Sequence, residues 1–270
     1  MLLSNRVAII TGGATGIGRG IAVKFAEEGC NVAIADINMK AANETLSQVR
    51  KRGREGLAIE CDITDSNQVR NMVHMVVSTF GKIDVLVNNA GAGSLGLGGE
   101  SPPPLGVANV TEEKWDKVVA LNLKGAFLCC KEVVPHMKEK GYGKIINVST
   151  LGWIDPPTIA PDYHAAKAGV VGLTHDMACE LGPCGIHVNA ILPGPVRTPF
   201  YDRMLGARTD EEKDAFFDAV GKTTPLQRVG VPDDIAGVAL FLASELSAYV
   251  TGASIPVGGG LPLKPYSPWL

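Results

Sequence analysis

A tyrosine and a lysine four positions apart are the residues of this sequence best suited to moving a proton. Tyr163 and Lys167 stand in the segment Tyr-His-Ala-Ala-Lys, and a spacing of four puts both side chains on one helical face, a turn apart. Bringing a phenol from a pKa near 10 to neutrality takes roughly 4 kcal/mol, comparable to one cation about 4 Å away. The pair can therefore serve proton transfer, while an ordinary surface helix pair is the alternative for this spacing alone.

A glycine-rich turn is the second feature with chemical meaning. Gly12, Gly16 and Gly18 follow a short apolar run and precede a helical segment. Glycines let the backbone approach a ligand closely, and a pyrophosphate binds to the free N–H groups at the start of such a helix. We therefore predict a dinucleotide site here. A tight turn without a ligand is the alternative that glycine spacing leaves open.

An aspartate about twenty residues further on bears on which dinucleotide is bound. Asp36 ends the second apolar run, where a carboxylate can accept hydrogen bonds from an adenosine ribose. A 2′-phosphate about 4 Å from it would cost about 4 kcal/mol per unit charge at an effective dielectric near 20. Neither Thr15 nor Ile37 supplies a basic group to neutralise a phosphate. These residues predict NAD as the cofactor, and a solvated loop aspartate is the alternative for Asp36 taken alone.

Short runs rich in valine and isoleucine alternate with segments of helical period along the chain, which is typical of a parallel sheet flanked by helices. Strands are predicted at 6–11, 31–35, 56–61, 83–88, 143–149, 186–191 and 254–257. Helices are predicted at 16–29, 39–53, 66–80 with Ser66 as its N-cap, 111–140, 162–182 and 232–244. The predicted fold class is α/β: a doubly wound (Rossmann) parallel sheet with helices on both faces, in one domain spanning residues 1–270.

Composition excludes several classes of function. The chain has 270 residues, of which 46% are apolar and 20% charged, with 25 basic against 28 acidic residues and a net charge of -3. This balance is typical of a globular protein and indicates no polyanion partner. No stretch of about 18 uninterrupted apolar residues exists to span a membrane. We expect neither a nucleic-acid partner nor a membrane.

Cysteines and histidines are placed in a way that argues against a metal site. The six cysteines include no Cys-x-x-Cys pair, and the five histidines form no His-x-x-x-His pattern, so we predict no metal ligands. The cysteines are interpreted as buried thiols in a reducing cytoplasm. The first residues carry no basic region or small-residue cleavage site, so we expect no signal peptide and a cytoplasmic location.

In combination these motifs resemble the short-chain dehydrogenase/reductase family over nearly the whole chain. The resemblance rests on the glycine turn, Asp62 after the third strand, Asn-Asn-Ala-Gly at 88–91, Asn122, Tyr163 with Lys167, and Pro193-Gly194 followed by Thr198. It implies that Asp62 and Ile63 flank the adenine, that Asn89, Ala90 and Gly91 line the adenosine ribose, and that Val196 and Thr198 hold the nicotinamide amide. The predicted cofactor-binding residues are Gly12, Thr15, Gly16, Ile17, Gly18, Asp36, Ile37, Asp62, Ile63, Asn89, Ala90, Gly91, Tyr163, Lys167, Pro193, Gly194, Val196 and Thr198.

The same resemblance implies catalytic roles. Tyr163 would be the proton donor, Lys167 would lower its pKa and hold the nicotinamide ribose, and Asn122 would organise a water leading from Lys167 to solvent. The family's remaining catalytic residue is a serine that usually stands thirteen positions before the tyrosine. That position holds Thr150, preceded by Ser149. Adjacent residues at a strand end point to opposite faces, so both cannot face the substrate. The spacing favours Thr150, with Ser149 as the alternative if the following loop is shifted by one residue.

The implied activity is interconversion of a secondary alcohol and a ketone by hydride transfer with NAD(H). Apolar side chains that suggest an apolar substrate are Trp153, Ile154, Pro156, Pro157, Phe200, Met204, Phe216 and Phe217. A first alternative is 3-oxoacyl-thioester reduction on acyl carrier protein, but the two arginines with which similar enzymes grip the carrier are Gly141 and Cys184 here. A second, from another class, is a non-catalytic dinucleotide-sensing or scaffold protein.

Two irregular segments are predicted to lie near the substrate, and two helices are predicted to form a subunit interface. Residues 92–110 are predicted to form an extended loop, about nine residues longer than the resemblance leads one to expect. It either covers the substrate or reaches a neighbouring subunit, and a tolerated surface loop is the alternative. Residues 195–225 are predicted to form a second substrate loop. Helices 111–140 and 162–182 resemble those that pair into a dimer interface, commonly within tetramers. We expect a homotetramer, the alternative being that their apolar positions meet the sheet within one subunit.

Overall fold

Parallel strands at the centre of the molecule form one sheet. The computed structural model describes residues 1–93, 106–154, 160–205 and 208–263, without the side chains of 202–204. In these ranges the strands are β1 Val7–Thr11, β2 Asn31–Asp36, β3 Gly56–Glu60, β4 Val85–Asn88, β5 Gly143–Val148, β6 Ile186–Pro193 and β7 Ser254–Val257. Their order is β3-β2-β1-β4-β5-β6-β7. The order reverses between β1 and β4, so their carboxyl ends flank a crevice of the kind in which open parallel sheets bind ligands.

Helices cover both faces of this sheet. The described helices are α1 Gly16–Glu27, α2 Met39–Lys51, α3 Ser66–Phe80, α4 Glu112–Val119, α5 Gly125–Lys140, α6 Pro161–Leu181, α7 Pro199–Leu205, α8 Asp210–Gly221 and α9 Pro232–Ala243. Buried side chains of α1, α2 and α9 pack on one face, and those of α3, α5 and α6 on the other. The predicted doubly wound α/β fold is confirmed.

Strand β1 shows why these apolar runs form central strands. All five of its residues are buried, and successive side chains point to opposite faces of a sheet. Ala8 and Ile10 accordingly lie in the first core and Val7 and Ile9 in the second. Continuous burial, rather than alternation with polar residues, is what a strand covered on both faces requires.

The predicted helix 111–140 is divided in the structure. An α-helix over Glu112–Val119 continues through a π-helical turn, Ala120–Lys124, into α5. Each turn of this kind is wider than an α-turn by one residue, because its hydrogen bonds run from i to i+5. The predicted N-cap Ser66 was also wrong: Asp65 caps α3, and its Oδ1 accepts hydrogen bonds from the backbone of Asn67 at 2.8 Å and Gln68 at 3.4 Å.

No helix was predicted within 195–225, but the segment contains α7 and α8; its assignment to the substrate stays a prediction. A capping box starts α8: the Thr209 hydroxyl accepts from the Glu212 backbone, and the Glu212 carboxylate accepts from the Thr209 backbone. A Thr-x-x-Glu pattern is a recognised start signal for a helix. It was the signal that the sequence-based prediction missed.

A buried carboxylate ties together the amino ends of β1 and β4. Asp84 is fully buried, and its Oδ2 accepts from the Val7 backbone at 2.8 Å and lies 3.1 Å from Lys82 Nζ. Its Oδ1 lies 3.4 Å from Arg6 Nη1 and contacts Lys140 Nζ. Burial raises the pKa of Asp84, but the bonds from Lys140, Val7 and Lys82 outweigh it, so the pKa is lowered from its usual value. The carboxylate is therefore held in its charged form.

The surfaces of α5 and α6 are mostly engaged within the subunit. Val170 of α6 is buried, as is Val118 of the preceding helix α4, and Val134 of α5 and Leu173 of α6 pack against the second core. Phe127 of α5, in contrast, is 47% exposed. Among the described residues, no helix combines the length and apolar character needed to cross a membrane.

Candidate active site

The glycine turn packs directly on the end of β4. Gly12 has φ +62°, and a Cβ there would lie 2.8 Å from Ala90 Cα. A Cβ on Gly18 would lie 2.2 Å from the Gly12 carbonyl oxygen and 2.6 Å from Asn89 Nδ2. The Asn89 amide in turn donates to the carbonyls of Thr11 and Gly12, both at 3.0 Å. Side chains at these glycines would separate the turn from β4, so glycine is required for this close packing.

The first turn of α1 presents backbone donors without a competing side chain. Its N-cap, Thr15, makes no capping hydrogen bond, and the first turn contains no acidic residue. Thr198 lies against the same point, with its Cβ 3.3 Å from the position a Cβ would take on Gly16. Ile17, the next residue, is half-buried and packs against the first core. Free N–H groups and the helix dipole favour an anion at such a helix start.

Asp36 is fixed at the carboxyl end of β2, facing the glycine turn. Its Oδ2 accepts from the Ala14 backbone at 3.0 Å and its Oδ1 from the Asn38 backbone at 2.9 Å. A carboxylate oxygen can accept a second bond, so both oxygens retain acceptor capacity. The neighbouring Ile37 is 71% exposed.

The predicted adenine-side residues follow β3. Asp62 is half-buried, and its Oδ1 accepts from the backbone of Thr64 at 2.9 Å and from its hydroxyl at 2.7 Å. Ile63 is buried, and its Cδ1 lies 2.5 Å from where a Cβ of Gly125 would be. The Ile63 side chain thus packs against the start of α5.

The segment after β6 brings Thr198 to the start of α1. Pro193 ends β6 in a buried position, and the Gly194 backbone donates to Val257 at 2.9 Å. Val196 is buried and pairs with Gly230 in an isolated β-bridge. These contacts fix the chain that leads from the sheet edge to the glycine turn.

Lys167 lies buried in the first third of α6. It is 3% exposed, and its Nζ donates to the Val148 carbonyl at 2.8 Å. The same Nζ lies 5.8 Å from the centroid of the Tyr163 ring. Burial lowers the pKa of Lys167 to about 8. The structure therefore places the predicted pair together at the end of β5.

The Tyr163 phenol is half-buried at the amino end of α6. Burial raises its pKa above the usual value, and the nearby Tyr201 adds to the rise. This is the reverse of the direction expected from the resemblance, in which Lys167 lowers the pKa of the tyrosine. Burial penalises a phenolate, so the phenol keeps its proton at neutral pH.

Asn122 is held by the π-helical turn beside this pair. It is 1% exposed, and its Nδ2 donates to the carbonyls of Ala92 at 2.8 Å and Val118 at 2.9 Å. Its Oδ1 is buried without a partner in the described part of the chain. A Cβ on Gly91 would lie 2.5 Å from this oxygen and 3.0 Å from Lys167 Nζ. The asparagine oxygen and the lysine ammonium therefore converge on one point above Gly91.

Ser149 and Thr150 have different surroundings. Ser149 is buried and its hydroxyl donates to the Lys167 carbonyl at 2.8 Å. Thr150 is half-buried, and its Oγ1 accepts from the Gly152 backbone at 3.1 Å. A hydroxyl that accepts in this way still has its own proton to donate. The Thr150 proton is thus available, whereas that of Ser149 is used within the fold.

The aromatic and apolar side chains of the predicted substrate wall differ in their exposure. The Phe200 ring is 42% exposed, with its centroid 6.2 Å from that of Tyr163. Phe217 is buried, and Trp153 packs against a small core near β6. Two other members of the predicted apolar wall, Pro156 and Pro157, lie outside the described residues. The same holds for the Met204 side chain and for residues 94–105 of the predicted loop 92–110.

The cysteines are free, and four of them are buried: Cys30, Cys61, Cys129 and Cys130. The expectation of burial was wrong for Cys179, which is exposed on α6, and Cys184 is half-buried. Burial raises the pKa of Cys61 to about 11 and that of Cys130 to about 12. These two thiols are therefore protonated at neutral pH.

Comparison with known proteins relates this geometry to a family. A family model described as enoyl-(acyl carrier protein) reductase matches residues 12–262. The uncharacterized oxidoreductase YxbG of Bacillus subtilis is 40% identical, over 96% of this chain and 92% of its own. The 3-oxoacyl-(acyl-carrier-protein) reductase FabG of Staphylococcus epidermidis is 39% identical, over 95% of this chain and 99% of its own.

A solved structure agrees with these relatives. Levodione reductase superposes with a TM-score of 0.85 at 33% identity, covering 95% of this chain and 97% of that one. Because the likeness extends over nearly all of the sequence as well as the fold, this chain belongs to the short-chain dehydrogenase/reductase family and is an oxidoreductase.

Proposed function

We propose that this oxidoreductase interconverts a secondary alcohol and a ketone with NAD(H), using Tyr163 as its acid and base. The observation that carries the proposal is that Tyr163, Lys167 and Asn122 lie together at the ends of β4 and β5, with the Thr150 hydroxyl directly after β5. A phenol beside a hydroxyl with a free proton can bind and protonate one substrate oxygen. The metal-free mechanism expected from the sequence remains part of the proposal.

The residues around the crevice fit a nicotinamide dinucleotide. The glycine turn has no room for a Cβ at Gly12 or Gly18, and the start of α1 offers donors to a pyrophosphate. Asp36 retains acceptors for a ribose. When bound, the nicotinamide would accept or give the hydride. Thr198, close to Gly16, would hold its amide group, and Lys167 its ribose.

The chain's own groups would handle the proton and the substrate oxygen. Thr150 donates a hydrogen bond to that oxygen, and Tyr163 gives it a proton in ketone reduction or takes one in alcohol oxidation. The free Asn122 Oδ1 and Lys167 Nζ lie close enough to Gly91 to hold a water between them. That water would connect Lys167 to solvent.

Reduction of 3-oxoacyl groups on acyl carrier protein is the second candidate, favoured by the identity to FabG. Against it, Gly141 and Cys184 stand where similar enzymes carry carrier-binding arginines. Gly141 ends α5 with φ +66°, a conformation that L side chains rarely adopt. A non-catalytic role has less support, since the polar groups of the site are all present.

The proposal also includes the oligomeric state of the protein and its location in the cell. We propose a homotetramer that pairs α5 and α6 of two subunits, and the exposed Phe127 on α5 supports it because aromatic side chains are enriched at subunit interfaces. A cytoplasmic location fits the unpaired cysteines and the reducing conditions that keep thiols free.

Turnover of a panel of secondary alcohols, followed by the absorbance of the reduced nicotinamide, tests both reaction and cofactor. We expect kcat/KM with NAD to exceed that with NADP by at least about tenfold, because Asp36 repels a 2′-phosphate even after solvent screening. The Asp36→Ala variant should reduce the ratio of kcat/KM with NAD to kcat/KM with NADP. Asp62→Ala serves as the matched control and should leave the ratio unchanged. Equal kinetics with both cofactors in the wild type would contradict the assignment.

Paired substitutions at the end of β5 separate the two hydroxyl candidates. Thr150→Val removes the hydroxyl at constant shape and should lower kcat by about a hundredfold, as loss of one donor to a reacting oxygen does. Ser149→Ala should lower it by less than about tenfold, because its hydroxyl serves the Lys167 carbonyl. Steady-state kinetics of both variants decide the matter. A larger loss in the Ser149 variant would transfer the role to that residue.

A further inference from the structure

An imidazole lies beside the Thr150 hydroxyl. Gly152 stands in the turn after β5, and a Cβ on it would lie 2.9 Å from His164 Nε2 and 3.4 Å from Thr150 Oγ1. Contacts under 3.0 Å are too short for a real Cβ. The absence of a side chain at Gly152 therefore leaves room for the imidazole, and both polar groups lie around the same point.

The imidazole also adjoins Tyr163. The ring centroids of Tyr163 and His164 are 5.8 Å apart, with an angle of 56° between the ring planes. His164 thus neighbours both groups that we assign to the reacting oxygen of the substrate. None of the roles derived above uses this histidine.

The nitrogens of His164 are not committed to the fold. Within the described ranges, neither ring nitrogen forms a hydrogen bond. Neither nitrogen is fully buried, so both are accessible to solvent or to a ligand. Burial lowers the pKa of His164, and the charge of Asp162 on the same helix only partly opposes it. The neutral ring has one donor and one acceptor nitrogen. A half-buried polar group of this kind beside a substrate site is suited to a polar ligand atom.

We propose that His164 contacts the substrate and selects alcohols that carry a second oxygen on the carbon next to the reacting carbon. This inference rests on the proposed function. The reacting oxygen lies between Tyr163 and Thr150, and the adjacent oxygen faces His164. A hydroxyl or a carbonyl can meet the imidazole, since the ring can donate or accept. The substrate class is thus vicinal diols and the corresponding hydroxyketones.

Matched substrate pairs test this assignment on the NAD-bound enzyme. The pairs are butan-2-ol with butane-2,3-diol and cyclohexanol with cyclohexane-1,2-diol, each differing by one hydroxyl. We expect the wild type to prefer the diol by about tenfold in kcat/KM, which corresponds to one neutral hydrogen bond. His164→Leu should remove the preference, mainly through KM, and leave kcat/KM for the simple alcohol within about threefold.

Two further variants show whether the nitrogen matters. His164→Gln keeps a donor and an acceptor and should retain part of the preference. His74→Leu changes an exposed histidine of α3 and should leave it intact. A preference that is absent in the wild type, or that survives in His164→Leu, would overturn the inference. The proposed function fails separately, if Tyr163→Phe keeps its activity on any of these alcohols.

Binding can be followed without turnover. In the complex with NADH, in which an alcohol is not oxidised, butane-2,3-diol should shift the proton NMR signal of the His164 ring, which is assigned by its loss in His164→Gln. Butan-2-ol should shift that signal less. If the diol leaves the signal unmoved at concentrations that saturate the enzyme, His164 is not a substrate contact.

Discussion

Replacing Tyr163 by phenylalanine is expected to lower kcat by about a thousandfold and to leave NAD affinity nearly unchanged. The substitution removes the hydroxyl that exchanges the proton, and a positioned acid or base contributes about 10²–10⁴ in rate. Lys167→Ala should differ by reducing both kcat and cofactor affinity, because we assign the ammonium to the nicotinamide ribose. Steady-state kinetics, with NAD binding followed by protein fluorescence, distinguish the two variants.

The same chemical change at a remote position supplies the control. Tyr249 is fully exposed, and Tyr249→Phe should leave kcat within about twofold of wild type, as surface substitutions usually have small effects. If Tyr163→Phe retains more than about a tenth of wild-type activity, Tyr163 is not the proton donor.

The raised pKa of Tyr163 also predicts how the rates of alcohol oxidation and ketone reduction change with pH. Alcohol oxidation needs the phenolate as base, so its rate should rise with pH through neutrality and beyond. Ketone reduction needs the protonated phenol and should not show this rise. Lys167, whose pKa is about 8, loses its positive charge above that pH. Initial rates in both directions across a pH series test this difference.

The second large effect concerns stability: Asp84→Asn should lower the free energy of unfolding by about 3 kcal/mol. Removing one partner of a buried ion pair costs roughly 3–5 kcal/mol, and the lower end applies because Arg6, Lys82 and Lys140 are partly exposed. Glu245→Gln is the control. Glu245 pairs with Arg6 but is 62% exposed, so its loss should cost less than about 1 kcal/mol.

The pH dependence of this stabilisation follows from the lowered pKa of Asp84. A carboxyl whose pKa is lower in the folded state stabilises the fold fully above its unfolded pKa, and the effect is lost as the pH falls through the folded value. The difference between wild type and Asp84→Asn should therefore shrink in acid. Urea unfolding at pH 7 and below pH 4 measures it. A difference that stays constant would show that the charge of Asp84 does not stabilise the fold.

Central strands and the residues next to them were predictable because local pattern and tertiary burial agree there. The run Val7–Ile10 is apolar throughout, and the whole strand Val7–Thr11 is buried, so the sequence alone indicates a central strand. The proximity of Tyr163 and Lys167 was predictable for a related reason, since a spacing of four in a helix determines which residues share a face.

Features that depend on packing between distant segments were not predictable in this way. The direction of the pKa shift at Tyr163 is set by burial and by Tyr201, and neither is visible in the four-residue spacing. His164 could only be connected with Thr150 once the turn after β5 had been placed. The helix α8, in contrast, had a local signal in its Thr209 capping box, and the glycine-poor stretch that follows it was consistent with a helix.

The wide turn at Ala120–Lys124 makes the helical segment through Asn122 intolerant of changes in chain length. Each helical residue turns the chain by about 100°, so deleting Leu121 would rotate α4 by that angle relative to α5. Asn122 would then lose its bonds to Ala92 and Val118, or α5 would turn its buried face from the sheet. Insertions and deletions between α4 and α5 are therefore incompatible with this arrangement of the site.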